Sequence, residues 1–166
     1  SRYSLGHLIA AFVALQATGD VALTSMLVTA IAHNRLKEAF KMQITLSVLL
    51  TIVAIIHLMP LVGVISRQRI NSGYGIDTTD SNVAILMRHR AVLFGLLGTF
   101  LLCAAWLPSY QGLGLLVGFI SVISFLLIAW AEGGVNPQVQ RVVAADYVAL
   151  ACLILGSMSY YLSSPL

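Results

Sequence analysis

The stretch that decides the fold is VVAADYVALACLILGSMSYYL, residues 142–162 of the 166-residue chain. It is apolar except for Asp146 and a few small or aromatic polar side chains, and a membrane-spanning helix needs about 20 mostly apolar residues. A carboxylate at membrane depth is costly and persists where it has a partner or a wet cavity. The stretch therefore predicts a membrane helix that carries a candidate polar site at Asp146.

The composition of the whole chain agrees with a membrane location. Hydrophobic residues make up 59% of the chain and charged residues 9%, and the mean hydropathy is +0.94. A soluble domain carries about 25% charged residues. We therefore expect one all-α integral membrane domain over residues 1–166, with the lipid bilayer as its surroundings. The net charge of +3 is scattered, without the basic stripe of nucleic-acid-binding proteins.

Apolar blocks of suitable length predict four core helices and one additional helix at the N-terminal end. The predicted additional helix at 5–33 contains Asp20 and other polar residues, so it either spans the bilayer or lies in its interface. A short charged connector is expected at 34–41 and an extended polar loop at 67–79. The core helices are predicted at 43–66, 81–107, 112–131 and 137–162.

Prolines, glycines and capping residues predict local features of these helices. Pro60 removes a backbone donor, so a bend is expected beside His57. Thr79 or Asp80 can cap the helix that follows, and Asn136 with Pro137 is a typical helix start. The small residues Gly114 and Gly118 are expected to face another helix.

Three polar side chains on different core helices are predicted to lie at one depth. His57, Arg90 and Asp146 are each nine residues from a predicted helix end on the same side, which is about 13 Å at 1.5 Å per residue. Arg88 and His89 lie just shallower, and Asp20 lies near this layer if the first helix spans. We expect the first three to border a common cavity reached from the 67–79 loop.

The chemistry of this cluster leaves alternatives open. Arg90, or failing it Arg88, is expected to pair with Asp146, because an unpaired charge is costly at that depth. The pair could simply fix helix register, the residues could organise a ligand pocket, or His57 and Asp146 could relay protons. No metal-binding pair of histidines or glutamates occurs on one helix, and neither a nucleophile elbow nor a phosphate loop is present. No metal is therefore expected, and the sequence assigns no cofactor and no catalytic residue.

Three segments resemble a family of small, largely uncharacterised bacterial membrane proteins with four helices, similar to DoxX-like bundles in general shape. They are IIHLMPLVGV at 55–64, Tyr74-Gly75, and ILMRHRAVLFG at 85–95, the most specific part. Some family members carry the label phosphopantetheine adenylyltransferase, but this chain lacks the His-x-Gly-His phosphate site of that soluble enzyme. The resemblance covers residues 48–163 and implies four core helices, a bacterial inner membrane and no known reaction.

These observations favour a non-catalytic binding or accessory membrane protein. Its polar pocket would hold a small amphipathic ligand, such as a lipid or quinone, or would help the protein to dock on a larger membrane complex. The alternative is a small membrane enzyme or proton-coupled carrier that uses His57, Arg90 and Asp146.

Overall fold

The computed structural model describes residues 21–163, together with the helical positions Ala10 and Val13. Between residues 21 and 163 all regular structure is helical and no strand occurs, which confirms the all-α fold class. A 3-10 helix, Met59–Val64, directly follows the first α-helix. The α-helices are α1 (Val21–Leu58), α2 (Arg67–Tyr74), α3 (Ser81–Trp106), α4 (Pro108–Glu132) and α5 (Pro137–Ser163).

Within residues 21–163, four helical segments are long and apolar enough to cross a membrane. They are Val21–Val64, which joins α1 to the 3-10 helix, and the helices α3, α4 and α5. Large apolar side chains such as Leu86, Ile120 and Leu155 are more than half exposed on their surfaces, as expected where lipid is the solvent. By the length and composition of its helices, the chain is a multi-pass membrane protein.

The chain forms two compact units, residues 1–41 and 42–166. The expected end of the first helix at His33 and the connector at 34–41 are wrong, because α1 continues through this charged segment. Residues 34–41 contain neither glycine nor proline, and most are good helix formers. An ion pair of 2.9 Å between Lys41 and Glu38 lies on the helix surface. Of the predicted helix at 5–33, residues 5–20 lie outside the described residues except for Ala10 and Val13, so its spanning stays a prediction.

The expected polar loop at 67–79 is only partly a loop, because its first eight residues form α2. The Ser66 side chain caps the helix by accepting a hydrogen bond from the Arg69 amide at 3.2 Å. Gly75 ends the helix in the left-handed conformation, with φ of +64°, which glycine adopts without steric cost. A helix too polar to be recognised by its apolar residues is thus defined by its two caps.

The connection between α3 and α4 is tighter than the sequence suggested. Pro108 begins α4 instead of ending α3, so Ser109, Tyr110 and Gln111 are helical and Leu107 alone joins the two helices. Proline is favoured in the first turn of a helix because the amide that it lacks would have no partner there. The predicted starts of the helices at 81 and 137 are confirmed, since Asp80 caps α3 and the Asn136 side chain caps α5.

Pro60 changes the helix type at the end of α1, as expected from its missing amide. The α-helix stops at Leu58, and the chain continues in 3-10 geometry to Val64. His57, in the last turn before this change, is 2% exposed and faces the protein interior. The α-helical geometry thus ends beside His57, and the expected bend of the helix axis stays a prediction.

The core of the 42–166 unit lies where α1, α3, α4 and α5 meet. Fully buried leucines and valines fill it, among them Leu50, Leu101, Val122 and Leu153. Gly114 and Gly118 are also buried, and a Cβ on either would come within 2.9 Å of a side chain on a neighbouring helix. The prediction that both glycines face other helices is confirmed.

Candidate ligand-binding site

A cavity of about 340 Å³ lies where α1 ends and α3 and α5 begin, with α2 along its border. Apolar side chains form much of its wall, including Ile56, Met59, Phe94, Phe125 and Val142. The polar side chains that line it come from α1, α2, α3 and α5. They are His57, Arg69, Tyr74, Arg90, Gln138, Arg141 and Asp146. The prediction that His57, Arg90 and Asp146 border one cavity is therefore confirmed.

His57 is held rigidly by both of its ring nitrogens. Nδ1 lies 2.9 Å from the Val53 carbonyl, which can only accept, so Nδ1 carries the proton. Nε2 lies 3.1 Å from the Ser121 hydroxyl on α4, which then donates to it. The ring also stacks on Phe94 with centroids 5.6 Å apart. His57 thus fixes the junction of α1, α3 and α4 and shapes the cavity wall.

Arg90 is surrounded by aromatic rings instead of being paired with a carboxylate. Its guanidinium carbon lies 5.4 Å from the ring centre of Tyr74, 5.2 Å from that of Phe94 and 5.6 Å from that of Phe125. Cation–π attraction over three rings stabilises a half-buried guanidinium without neutralising its charge. Direct contact of Arg90 with Asp146 does not occur, because no nitrogen of a basic side chain within residues 21–163 lies within 4.0 Å of that carboxylate.

Asp146 is the most unusual group of the cavity. Its side chain lines the cavity although the residue is only 6% exposed. In the described part of the chain it forms neither an ion pair nor a hydrogen bond through its carboxylate. No fully buried side-chain oxygen there lacks a hydrogen-bond partner, so the carboxylate oxygens of Asp146 are open to the cavity and can accept hydrogen bonds from a molecule inside it.

Arg88 and His89 do not belong to the cavity lining. Arg88 donates from Nε and Nη2 to the Val64 carbonyl, at 3.0 and 2.8 Å. It therefore clamps the end of the 3-10 helix to α3. His89 is exposed. Asp20 lies outside the described residues.

Tyr74 connects the two charges electrostatically. Burial raises the pKa of its hydroxyl above the ordinary value of 10.0, the positive charge of Arg90 lowers it, and the negative charge of Asp146 raises it. Tyr74 thus lies within electrostatic range of both groups. Its carbonyl accepts a 2.8 Å hydrogen bond from the Asn136 side chain, which ties the end of α2 to the start of α5.

Four polar lining residues were not singled out from the sequence as site residues: Arg69, Tyr74, Gln138 and Arg141. The sequence does not indicate Arg69 and Tyr74, because α2 is too polar to be recognised from its apolar residues, although the caps Ser66 and Gly75 mark its limits. Gln138 and Arg141 lie on α5, eight and five residues before Asp146. Gln138 could have been found from helical spacing, since eight residues are about two turns and place it near the face of Asp146. Arg141, five residues from Asp146, is about 140° away around the helix axis, so spacing alone does not bring it to the cavity.

The donor set of the cavity fits binding better than metal chemistry. No group of three or more histidine, cysteine, aspartate or glutamate side chains converges within the described residues. The cavity instead presents three guanidinium groups, a phenol and an amide opposite a single carboxylate, on a largely apolar wall. Such a lining can hold a molecule that has a polar head and an apolar body.

No known protein family matches the chain, and neither a protein of curated function nor a solved structure is significantly similar to it. The resemblance to the small bacterial family with four helices therefore stays a prediction.

Proposed function

We propose that the protein is a non-catalytic integral membrane protein, of a bacterial inner membrane, that binds a small amphipathic molecule in the cavity between α1, α2, α3 and α5. The observation that carries the proposal is an apolar cavity of about 340 Å³ lined by Arg69, Arg90, Arg141 and Asp146. Ionisable side chains within membrane-spanning helices are rare, and those that occur commonly face a cavity and bind a ligand or ion. Lipids and quinones are the amphipathic molecules that a bilayer supplies at this depth.

Two features support binding more than proton relay or catalysis. Both ring nitrogens of His57 already have partners inside the protein, which leaves no free position for proton exchange with Asp146. The side chains that line the cavity include no cysteine, serine, threonine or lysine among the described residues. Asp146 supplies an acceptor that is free for a ligand.

The proposal is tested by filling the cavity. Ala145 lines it, whereas the neighbouring Ala144 is exposed on the outer face of α5. Ala145→Leu should displace the ligand, and Ala144→Leu, the matched control, should leave it bound. Native mass spectrometry of each protein, purified in a mild detergent, reports the bound molecule directly.

Retention of the same molecule by Ala145→Leu and by the wild type would rule out this cavity as its site. A wild-type protein that carries no lipid or quinone, and is not stabilised when either is added, would contradict the proposed function itself.

A further inference from the structure

The charges of the cavity are not neutralised within the protein. Arg69, Arg90 and Arg141 face the cavity together with one carboxylate, and no ion pair involves any of them within residues 21–163. The lining therefore has three positive groups and one negative group. A concave site with an excess of one charge concentrates ligands of the opposite charge.

The three arginines approach the cavity from three different helices. Arg69 lies on α2, Arg90 on α3 and Arg141 on α5. The side chains of Arg69 and Arg141 are exposed toward the end of the bundle, and Arg90 lies deeper against its three aromatic rings. Guanidinium groups bind phosphate oxygens with two parallel hydrogen bonds, so this arrangement suits a phosphate-type anion better than a neutral carbonyl.

Asp146 adds a second requirement. Its carboxylate only accepts hydrogen bonds, has no donor among the described residues and is open to the cavity. A bare anion beside the arginines would leave Asp146 unsatisfied and would repel it. A ligand that satisfies the whole cavity must carry an anion and, next to it, a hydrogen-bond donor.

Building on the proposed function, we propose that the ligand is an anionic phospholipid whose headgroup carries a hydroxyl group beside the phosphate. The phosphate lies among Arg69, Arg90 and Arg141. The hydroxyl group donates a hydrogen bond to Asp146, and an acyl chain lies along the apolar wall of the cavity. A hydroxyl suits the site better than an ammonium group, because a zwitterionic headgroup would leave the excess positive charge in place. Phosphatidylglycerol has this chemistry.

The test compares lipids that differ in one property at a time. Delipidated protein in a neutral detergent is titrated with four ligands: phosphatidylglycerol, phosphatidylmethanol, phosphatidylethanolamine and a quinone. Phosphatidylmethanol has the charge of phosphatidylglycerol but no headgroup hydroxyl, and phosphatidylethanolamine is zwitterionic. Binding is followed by native mass spectrometry and by the thermal unfolding midpoint, which rises when a ligand binds the folded state. We expect phosphatidylglycerol to bind about tenfold more tightly than phosphatidylmethanol, as one charged hydrogen bond allows. This comparison needs no variant.

Two substitutions test separately the binding of the lipid phosphate and the hydrogen bond from the headgroup hydroxyl. Asp146→Asn should weaken phosphatidylglycerol and strengthen phosphatidylmethanol, because it removes both the acceptor charge and the repulsion of the phosphate. Arg69→Gln should weaken both lipids by about tenfold. Arg67→Gln is the matched control, because Arg67 is exposed on the same helix and does not line the cavity.

Failure of this inference is distinguishable from failure of the proposed function. If a quinone or phosphatidylethanolamine binds as tightly as phosphatidylglycerol, and Ala145→Leu blocks it, the function stands and the headgroup assignment is overturned. Equal binding of phosphatidylglycerol and phosphatidylmethanol overturns the role of Asp146. Competition by glycerol phosphate at the same concentration overturns the lipid in favour of a soluble anion. Absence of saturable binding by all these probes contradicts both proposals.

Discussion

Arg90 and Asp146 do not form an ion pair, although the charges of both act on the hydroxyl of Tyr74. A direct ion pair would neutralise both groups and close the site to ligands. Aromatic rings hold Arg90 in place instead, and the Asp146 carboxylate keeps acceptor positions open to the cavity. The empty cavity therefore makes the folded protein less stable, and a bound ligand restores that stability.

The aromatic surroundings of Arg90 predict that its planar shape matters as well as its charge. Arg90→Lys keeps the charge but loses stacking on three rings, so it should lower the free energy of unfolding by about 1 kcal/mol. Arg67→Lys, the same change on an exposed side chain, should have almost no effect. Thermal unfolding in detergent compares the two. Equal midpoints for both variants would show that the rings contribute nothing.

Tyr74 predicts a loss of stability in alkaline solution. Burial raises the pKa of its hydroxyl in the folded protein, so the folded state holds this proton more tightly than the unfolded state does. Its contribution is complete below the unfolded pKa of about 10 and is lost as the pH rises through the higher folded value. Tyr74→Phe should therefore flatten the pH dependence of the unfolding midpoint above pH ~10. Tyr147→Phe, on an exposed phenol, should not, and the same flattening there would contradict this assignment.

Among the helices, close approach depends on which atoms face each glycine of α4. A Cβ at Gly114 would lie 2.9 Å from the Cβ of Ala104 on α3, an atom that cannot rotate away. A Cβ at Gly118 would lie 2.9 Å from the Cδ2 of Leu153 on α5, the end of a flexible side chain. The two positions thus differ in their tolerance although their spacing in the sequence is typical of one motif.

This difference predicts an order of stability. Gly114→Ala should cost roughly 1–3 kcal/mol through overpacking, and Gly118→Ala should cost less, because Leu153 can change rotamer. Leucine at either position should cost more than alanine. Chemical unfolding in mixed detergent micelles measures the series. If Gly118→Ala proves the more harmful change, the packing of α4 differs from that described here.

For the whole molecule, the sequence predicts most where a residue has a single physical effect. Pro60 and the caps Asp80 and Asn136 act locally, so their helix ends were found. The start of α4 is harder to predict than those of α3 and α5, because a proline such as Pro108 is compatible with both the end of one helix and the first turn of the next. The common cavity was predicted because depth along a helix can be counted. The aromatic contacts of Arg90 were not, because rotation about the helix axis and side-chain conformation depend on packing.

The buried polar side chains at the two ends of the 42–166 unit differ in whether they have hydrogen-bond partners. At the end away from the cavity, Gln111 is 1% exposed and fully bonded. It accepts from Gln43 at 2.9 Å and donates to the Ala105 carbonyl at 3.1 Å and to the Ser47 hydroxyl at 3.4 Å. This cluster joins α1, α3 and α4 without an opening for a ligand. The bundle is thus closed by hydrogen bonds at one end and left with a free carboxylate at the other.

Because of this difference, we expect substitutions at the two ends to change the free energy of unfolding in opposite directions. In delipidated protein, Asp146→Asn should raise the free energy of unfolding by roughly 1 kcal/mol, because a buried unpaired charge is removed. Gln111→Leu should lower it by about 1–2 kcal/mol, because the Ala105 carbonyl and the Gln43 amide lose their partner. Only the first variant should change lipid preference. Thermal unfolding with and without phosphatidylglycerol measures both quantities in one experiment. Destabilisation of the empty protein by Asp146→Asn would mean that this carboxylate has a structural partner and is not held free for a ligand.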